Sequence, residues 1–324
     1  MYFYPYFENN WYYATDPDAL ASLYRHGKEI TMLIPFWYGV TGQGTLVDQS
    51  DQATLNLARQ FNIPVLAIVH NFAARQYGPL IHRLLTDNNL RKTLIANIRS
   101  MLLDNRFIGV NIDFEFVPPE DRAFMTAFMA ELNSALKPCG LLVTISLPPE
   151  LRDDPAHPFS GAFSYPDLAR YSDQVYILAY DEHVAEPGPI ASIGFVRQVL
   201  AYALTVIPRW KIRLGMAVYG RDWSAGETLP QELSYRDAVV RAAAFGAEIR
   251  YDEKEQEPTY SYTERGINHV VWFENARSFA VKLDLARREN IPGIGVWRLG
   301  LEDQEIWRLF KQQRRYSIKS RISK

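Results

Sequence analysis

The sequence predicts a closed parallel (β/α)₈ barrel that carries a small α+β insertion between its seventh and eighth strands. Three observations predict it. Short apolar, β-branched runs alternate with amphipathic helical stretches along the 324 residues, the pattern of a parallel α/β fold. Eight such runs can be counted, and they read as near-continuous apolar segments, as strands buried on both faces do. No glycine-rich phosphate loop follows the first run, which leaves a doubly wound dinucleotide-binding sheet with little support.

The elements follow in order. A first strand is expected over Tyr2 to Phe7, and Asp16-Pro17 then opens a helix that Gly27 stops. The second strand, Glu29 to Pro35, leads to a helix over Ser50 to Phe61, and the third, Ile63 to Val69, to a helix over Asp87 to Leu103. The fourth, Phe107 to Glu115, precedes a helix opened by Pro119-Glu120 and closed by Pro138-Cys139-Gly140. Strands five and six are Leu141 to Leu147 and Gln174 to Tyr180; a helix over Ile193 to Val206 leads to the seventh, Lys211 to Val218. The next crossover, about Tyr219 to Asn275, is much longer than the others. It holds a helical pattern (Tyr235 to Phe245) and strand-like segments (Glu248 to Tyr251, Pro258 to Thr263, Asn268 to Phe273), which reads as an insertion on the barrel rim. A helix over Ala276 to Glu289 and a strand over Pro292 to Arg298 complete the set. Residues 1–310 are read as one catalytic domain and residues 311–324 as a basic tail.

Composition bounds the function. Hydrophobic residues make up 48% and charged residues 22%, which excludes a disordered, collagenous or coiled-coil chain. The net charge of -2 argues against a nucleic-acid binder, which needs a basic surface. The tail holds six Lys or Arg and no acid, leaving -8 on the remaining 310 residues; a solvated end is the plain reading, attraction to an anionic polymer the alternative. No apolar run approaches the ~18 residues of a membrane span, and the first residues do not form an export signal. The lone Cys139 excludes an internal disulfide framework. Aromatic residues reach 13%, either as core filling or as rings lining a groove for flat ligands such as sugar faces.

Chemistry is sought at the carboxyl ends of barrel strands. In Gly109-Val110-Asn111-Ile112-Asp113-Phe114-Glu115-Phe116 the side chains alternate, so Asn111, Asp113 and Glu115 share the inward face. The same alternation would suit a solvent-facing edge in an antiparallel sheet. At the end of a central barrel strand it places two acids in a buried site, where neighbouring charge pushes one carboxyl's pKa up and equips it as a general acid.

The Asn111-Ile112-Asp113-Phe114-Glu115 segment resembles the catalytic signature of glycoside hydrolase family 18, the chitinase family. Tyr180-Asp181 after the sixth strand, Gly215 to Trp223 around the seventh and Gly293-Ile294-Gly295-Val296-Trp297 in the eighth are similar to that family's segments in the same order. The Asn-Ile-Asp-Phe-Glu form and Val271-Trp272-Phe273-Glu274 are most similar to bacterial cell-wall and spore-cortex N-acetylglucosaminidases, and Tyr180-Asp181-Glu182-His183 with Glu186 to Ser192 resembles family-18 modules of larger bacterial polysaccharide-processing proteins. The resemblance implies a retaining hydrolase of β-linked N-acetylglucosamine glycans, with peptidoglycan favoured over chitin or exopolysaccharide. It also implies substrate-assisted catalysis, in which the sugar's acetamido oxygen is the nucleophile. Glu115 would then be the acid and base, Asp113 the partner of the acetamido N–H, Tyr180 the holder of the acetamido oxygen and Trp297 the floor of the reacting subsite. Asp181, Tyr219, Arg221, Asn111 and Trp37 are the further substrate-binding candidates. Ile108 and Asn111 stand where the fuller signature has Asp, so Asn111 is expected to hydrogen-bond Asp113 and to shift the pH optimum.

Rival readings are weaker. Tyr38, His70-Asn71, Trp272 and Glu274 could line subsites or pack the rim. The six His residues include no pair closer than 12 apart, so no helical zinc pair forms, and neither metal nor cofactor is expected. The alternative function is a catalytically silent chitinase-like lectin, which would usually lack the acid that Glu115 supplies. The remaining expectations are a monomer, a glycan as the partner, and an extracellular or cell-envelope location.

Overall fold

The computed structural model describes residues 7–72 and 77–310, so the basic tail and most of the first expected strand lie outside the described residues. In chain order the described elements begin β1 (Glu8–Tyr13), α1 (Pro17–His26), β2 (Met32–Val40), β3 (Leu46–Asp48), α2 (Gln52–Phe61), β4 (Leu66–His70), α3 (Tyr77–Thr86) and α4 (Asn88–Asn105). They continue with β5 (Gly109–Asp113), α5 (Arg122–Leu136), β6 (Leu142–Leu147), α6 (Tyr165–Arg170), β7 (Gln174–Ile177), α7 (Ile193–Val206) and β8 (Ile212–Ala217). The insertion supplies β9 (Tyr219–Ser224), β10 (Gln231–Ser234), α8 (Tyr235–Ala244), β11 (Arg250–Asp252), β12 (Glu257–Glu264) and β13 (Ile267–Phe273), before α9 (Ala276–Arg288) and β14 (Gly293–Trp297).

Strands β1, β2, β4, β5, β6, β7, β8 and β14 pair in parallel, and β1 pairs both β14 and β2, which closes the barrel. The expected (β/α)₈ fold with its insertion is what forms. Helix starts follow the expected chemistry: the Asp16 carboxylate accepts from the Ala19 N–H at 2.7 Å, and Ser192 accepts from Phe195 at 3.1 Å. Gly140, at φ +70°, supplies the left-handed turn between α5 and β6.

The barrel interior is filled in layers. Tyr12, Ile34, Ile68 and Tyr176 pack together, with Phe36 and Trp297 against them. Gly295 leaves the room they need, since a Cβ there would stand 2.5 Å from the Tyr176 ring. A larger core joins the outer faces of the strands to the helices. The insertion is a five-stranded antiparallel sheet, ordered β10-β9-β13-β12-β11, packed on α8 around Leu233, Ala238, Tyr260, Val271 and Phe273.

The expected first strand, Tyr2 to Phe7, needs correction: the barrel position belongs to Glu8–Tyr13. Its polar start hid it, because the amino-terminal end of this barrel is plugged with polar groups. Arg213 makes two bonds to the Glu8 carboxylate at 2.8 and 2.7 Å, and Asn10 donates to the Tyr176 hydroxyl at 3.0 Å. The strand expected at Glu29 starts at Met32 and runs on to Val40, where it turns back into antiparallel β3. Helices α3 and α6 and strands β3, β9 and β10 were not anticipated.

Candidate active site

Asp113 is the last residue of β5, and Glu115 lies two positions beyond it. Phe114 between them turns outward to pack on Phe128, with ring centroids 5.5 Å apart. Asp113 is 6% exposed, and burial pushes its carboxyl up to about 6, while the nearby Ser146 hydroxyl draws it part of the way back. Glu115 is raised to about 8, first by burial and then by the negative charges of Asp113 and Asp181. This is the like-charge arrangement that separates the protonation of two neighbouring acids. Near neutral pH Glu115 keeps its proton while Asp113 is mostly ionised.

Tyr180 and Asp181 follow the end of β7. The Tyr180 ring meets the Tyr219 ring edge-on at 6.4 Å, and burial lifts its hydroxyl well above the ordinary range, so it stays a donor. Asp181 takes the left-handed backbone conformation, φ +61°. Its carboxylate accepts from the Tyr219 hydroxyl and pairs with Arg221 at 2.6 Å, and Arg221 also donates to the His183 carbonyl at 2.8 Å. Trp297 ends β14 over the rings of Tyr12 and Phe36, at 5.5 and 5.8 Å; the Trp297–Arg298 peptide is cis. The barrel mouth therefore gathers a protonated carboxyl, an ionised carboxyl, a tyrosine hydroxyl and an indole face. That set can protonate a leaving oxygen and steady a developing positive charge.

The glycosyl hydrolases family 18 model matches residues 4–302. The chain belongs to glycosyl hydrolases family 18. Among the relatives of this family 18 chain is the cortical fragment-lytic enzyme of Bacillus anthracis, 32% identical over 86% of this chain and 67% of that one. The glycosylase YdhD of Bacillus subtilis is 30% identical over 82% of this chain, which spans only 65% of YdhD's length. The spore cortex-lytic enzyme SleL of Bacillus megaterium superposes with a TM-score of 0.87 at 27% identity, over 94% of this chain and 73% of that one. A chitinase from Chromobacterium violaceum gives 0.87 at 28%, over 94% and 98%. The family 18 chain is a glycoside hydrolase, and a glycan is its substrate.

At the barrel mouth the structure brings together Asp113, Glu115, Tyr180, Asp181, Tyr219, Arg221 and Trp297. Two other candidates lie elsewhere. Trp37 is 1% exposed in the outer core, with its indole N–H on the Thr15 hydroxyl at 2.9 Å. The ring on the barrel side of β2 is Phe36, in phase with Met32 and Ile34; a register shift at Phe36/Tyr38 breaks the alternation there. Asn111 is fully buried beneath Asp113. Its amide donates to Thr144 at 2.9 Å and accepts from Ser146 at 2.8 Å rather than bonding Asp113, so it supports the site through Ser146 and is no sugar contact.

Other residues also move. Tyr38 is core, and Trp223 is buried with its N–H on the Val184 carbonyl at 2.9 Å. Glu274 is buried against Lys282, which also bonds Glu257 at 2.9 Å. Glu257 in turn accepts the Ile190 and Ala191 N–H groups, both at 2.8 Å, and so ties the loop after Asp181 to the insertion. The His70 ring stacks on Phe36 at 3.8 Å, and burial lowers its pKa to about 4, so it is neutral across the working range. Tyr12 and Ser146, bonded to each other at 3.1 Å, were missed as supports of the site; Ser146 was signalled only by its phase with Thr144 in β6. Among the described residues no group of three or more His, Cys, Asp or Glu could hold a metal, and no helix is long and apolar enough to cross a membrane.

Proposed function

We propose that this chain is a retaining β-N-acetylglucosaminidase that cleaves N-acetylglucosamine-containing glycans, bacterial cell-wall peptidoglycan foremost, by substrate-assisted catalysis. The observation that carries this reading is the Asp113–Glu115 pair of acids at the end of β5, where burial raises Asp113 to about 6 and burial with the neighbouring negative charges raises Glu115 to about 8. Glu115 donates its proton to the glycosidic oxygen as the bond to the anomeric carbon breaks. The acetamido carbonyl oxygen of the same sugar attacks that carbon and closes an oxazolinium ring. Asp113 accepts the acetamido N–H and offsets the positive charge, a contact strongest in the transition state. Tyr180 holds the acetamido oxygen in line by its hydroxyl, and Trp297 offers its face to the sugar's C–H surface. Water then gives a proton to Glu115 and attacks the anomeric carbon from the side the leaving group left; the bond from that carbon to the acetamido oxygen breaks, the acetamide is restored, and the β configuration returns.

Preference for cell-wall polymer rests on relatives named for the spore cortex, and it carries with it an extracellular or cell-envelope location. In this reading residues 1–310 act as one catalytic unit with the insertion as a rim of the cleft, and Asp181, Tyr219 and Arg221 shape the reacting subsite. Product mass spectrometry on chitin oligomers and peptidoglycan, with Glu115→Gln in parallel, tests it. The variant is expected to lose turnover by about 10²–10⁴-fold while still binding oligomers. Equal hydrolysis by variant and wild type would overturn it.

A further inference from the structure

We infer that Asn71 is a positioning residue for Glu115, a role that rests on the reading of Glu115 as the proton donor. The ladder between β4 and β5 ends with His70 opposite Asp113. Glu115 therefore stands past the last rung, where no strand neighbour holds its backbone. Asn71, the residue after β4, takes over. Its carboxamide oxygen accepts the Glu115 N–H at 3.0 Å, and its carboxamide nitrogen donates to the Glu115 carbonyl at 2.7 Å. A carboxamide has the same donor and acceptor as a peptide group, so these two bonds reproduce one rung of a sheet with a side chain.

Three further facts give the contact its purpose. Asn71 is fully buried, so neither bond is exchanged with water at little cost. Phe116, the next residue, takes the left-handed conformation at φ +54°; the chain turns sharply there, and Glu115 is the last point at which the extended strand direction can be imposed. Among the described residues the Glu115 carboxyl has no ion-pair partner that would fix it from the other end; its electrostatic neighbours, Asp113 and Asp181, repel it. The direction of the carboxyl is thus inherited from the backbone that Asn71 clamps. Asp at this position would keep an acceptor for the N–H but lose the donor to the carbonyl, and would add a third negative charge near the pair. Ala would lose both bonds.

The test measures kcat/KM and Tm for wild type, Asn71→Ala and Asn71→Asp on two substrates: an unactivated N-acetylglucosamine oligomer, and an aryl glycoside whose leaving group needs no protonation. A misplaced proton donor costs on the order of 10–100-fold on the oligomer and much less on the aryl glycoside. Oligomer affinity, measured in the Glu115→Gln background, is expected to stay within about threefold, and Asn71→Ala is expected to add no further loss of turnover there. Wild-type turnover in both Asn71 variants, or equal losses on the two substrates that track a lowered Tm, would overturn the proposal while leaving Glu115 in place. Full activity of Glu115→Gln alone would remove the reading beneath it, and the proposal with it.

Discussion

In the proposed mechanism Glu115 and Asp113 titrate in opposite service, and the sign of each fixes one limb of the expected pH profile. The donor must be protonated, so kcat/KM is expected to fall as pH rises through about 8; Asp113 must be ionised, so it is expected to fall as pH drops through about 6. A profile flat across that window would contradict the assignment. Asn111→Asp is expected to move the acid limb upward, because a second carboxylate at Ser146 disfavours ionisation of Asp113 and the donor to Thr144 is lost. An unchanged profile would show that position 111 does not act on the pair. At the same scale, Trp37→Ala is expected to cost about 3–5 kcal/mol of stability with kcat/KM of the folded protein nearly unchanged. Trp297→Ala is expected to lose activity out of proportion to stability. Denaturant titration beside kinetics separates the two.

Elements explain why some residues were legible in the sequence and others were not. Barrel strands such as Val110 to Asp113 announce themselves because both faces are buried and the one polar face must be chemical. The start of β1 did not, since Glu8 and Asn10 are polar for a reason visible only once Arg213 and Tyr176 face them across the barrel. Trp37 was misplaced because a register shift in β2 changes which side chain points inward, and alternation cannot reveal a shift. Asn71 was singled out only as a subsite or rim residue, and Ser146 not at all, because their partners are 44 and 35 residues away in sequence. The insertion depends on a comparable distant contact. Lys282, from α9, sits between Glu257 of β12 and Glu274, all three buried. Lys282→Met is expected to destabilise the protein by about 3–5 kcal/mol, since it leaves two facing buried carboxyls without the cation that pairs with them; burial and Glu257 already hold the Glu274 carboxyl up at about 8. Urea unfolding measures this, and a loss below about 1 kcal/mol would mean that Lys282 does not hold the two buried carboxyls together.

At the scale of the whole molecule, the barrel supplies rigid strand ends and the insertion supplies one wall. Asp181, just past barrel strand β7, is held by the insertion at two points: by Tyr219 and Arg221 of β9, and through the loop that follows it, which Glu257 of β12 clamps. In the proposed mechanism Glu115, Asp113 and Tyr180 at this mouth act as proton donor, charge partner and hydroxyl, and the sugar supplies its own nucleophile. The most direct measurement compares initial rates on a chitin oligomer and on the same oligomer de-N-acetylated at the reacting sugar, with affinity measured for both. The acetylated oligomer is expected to be cut and the de-N-acetylated one to bind without being cut. Hydrolysis of both at equal rates would contradict substrate-assisted catalysis in this protein.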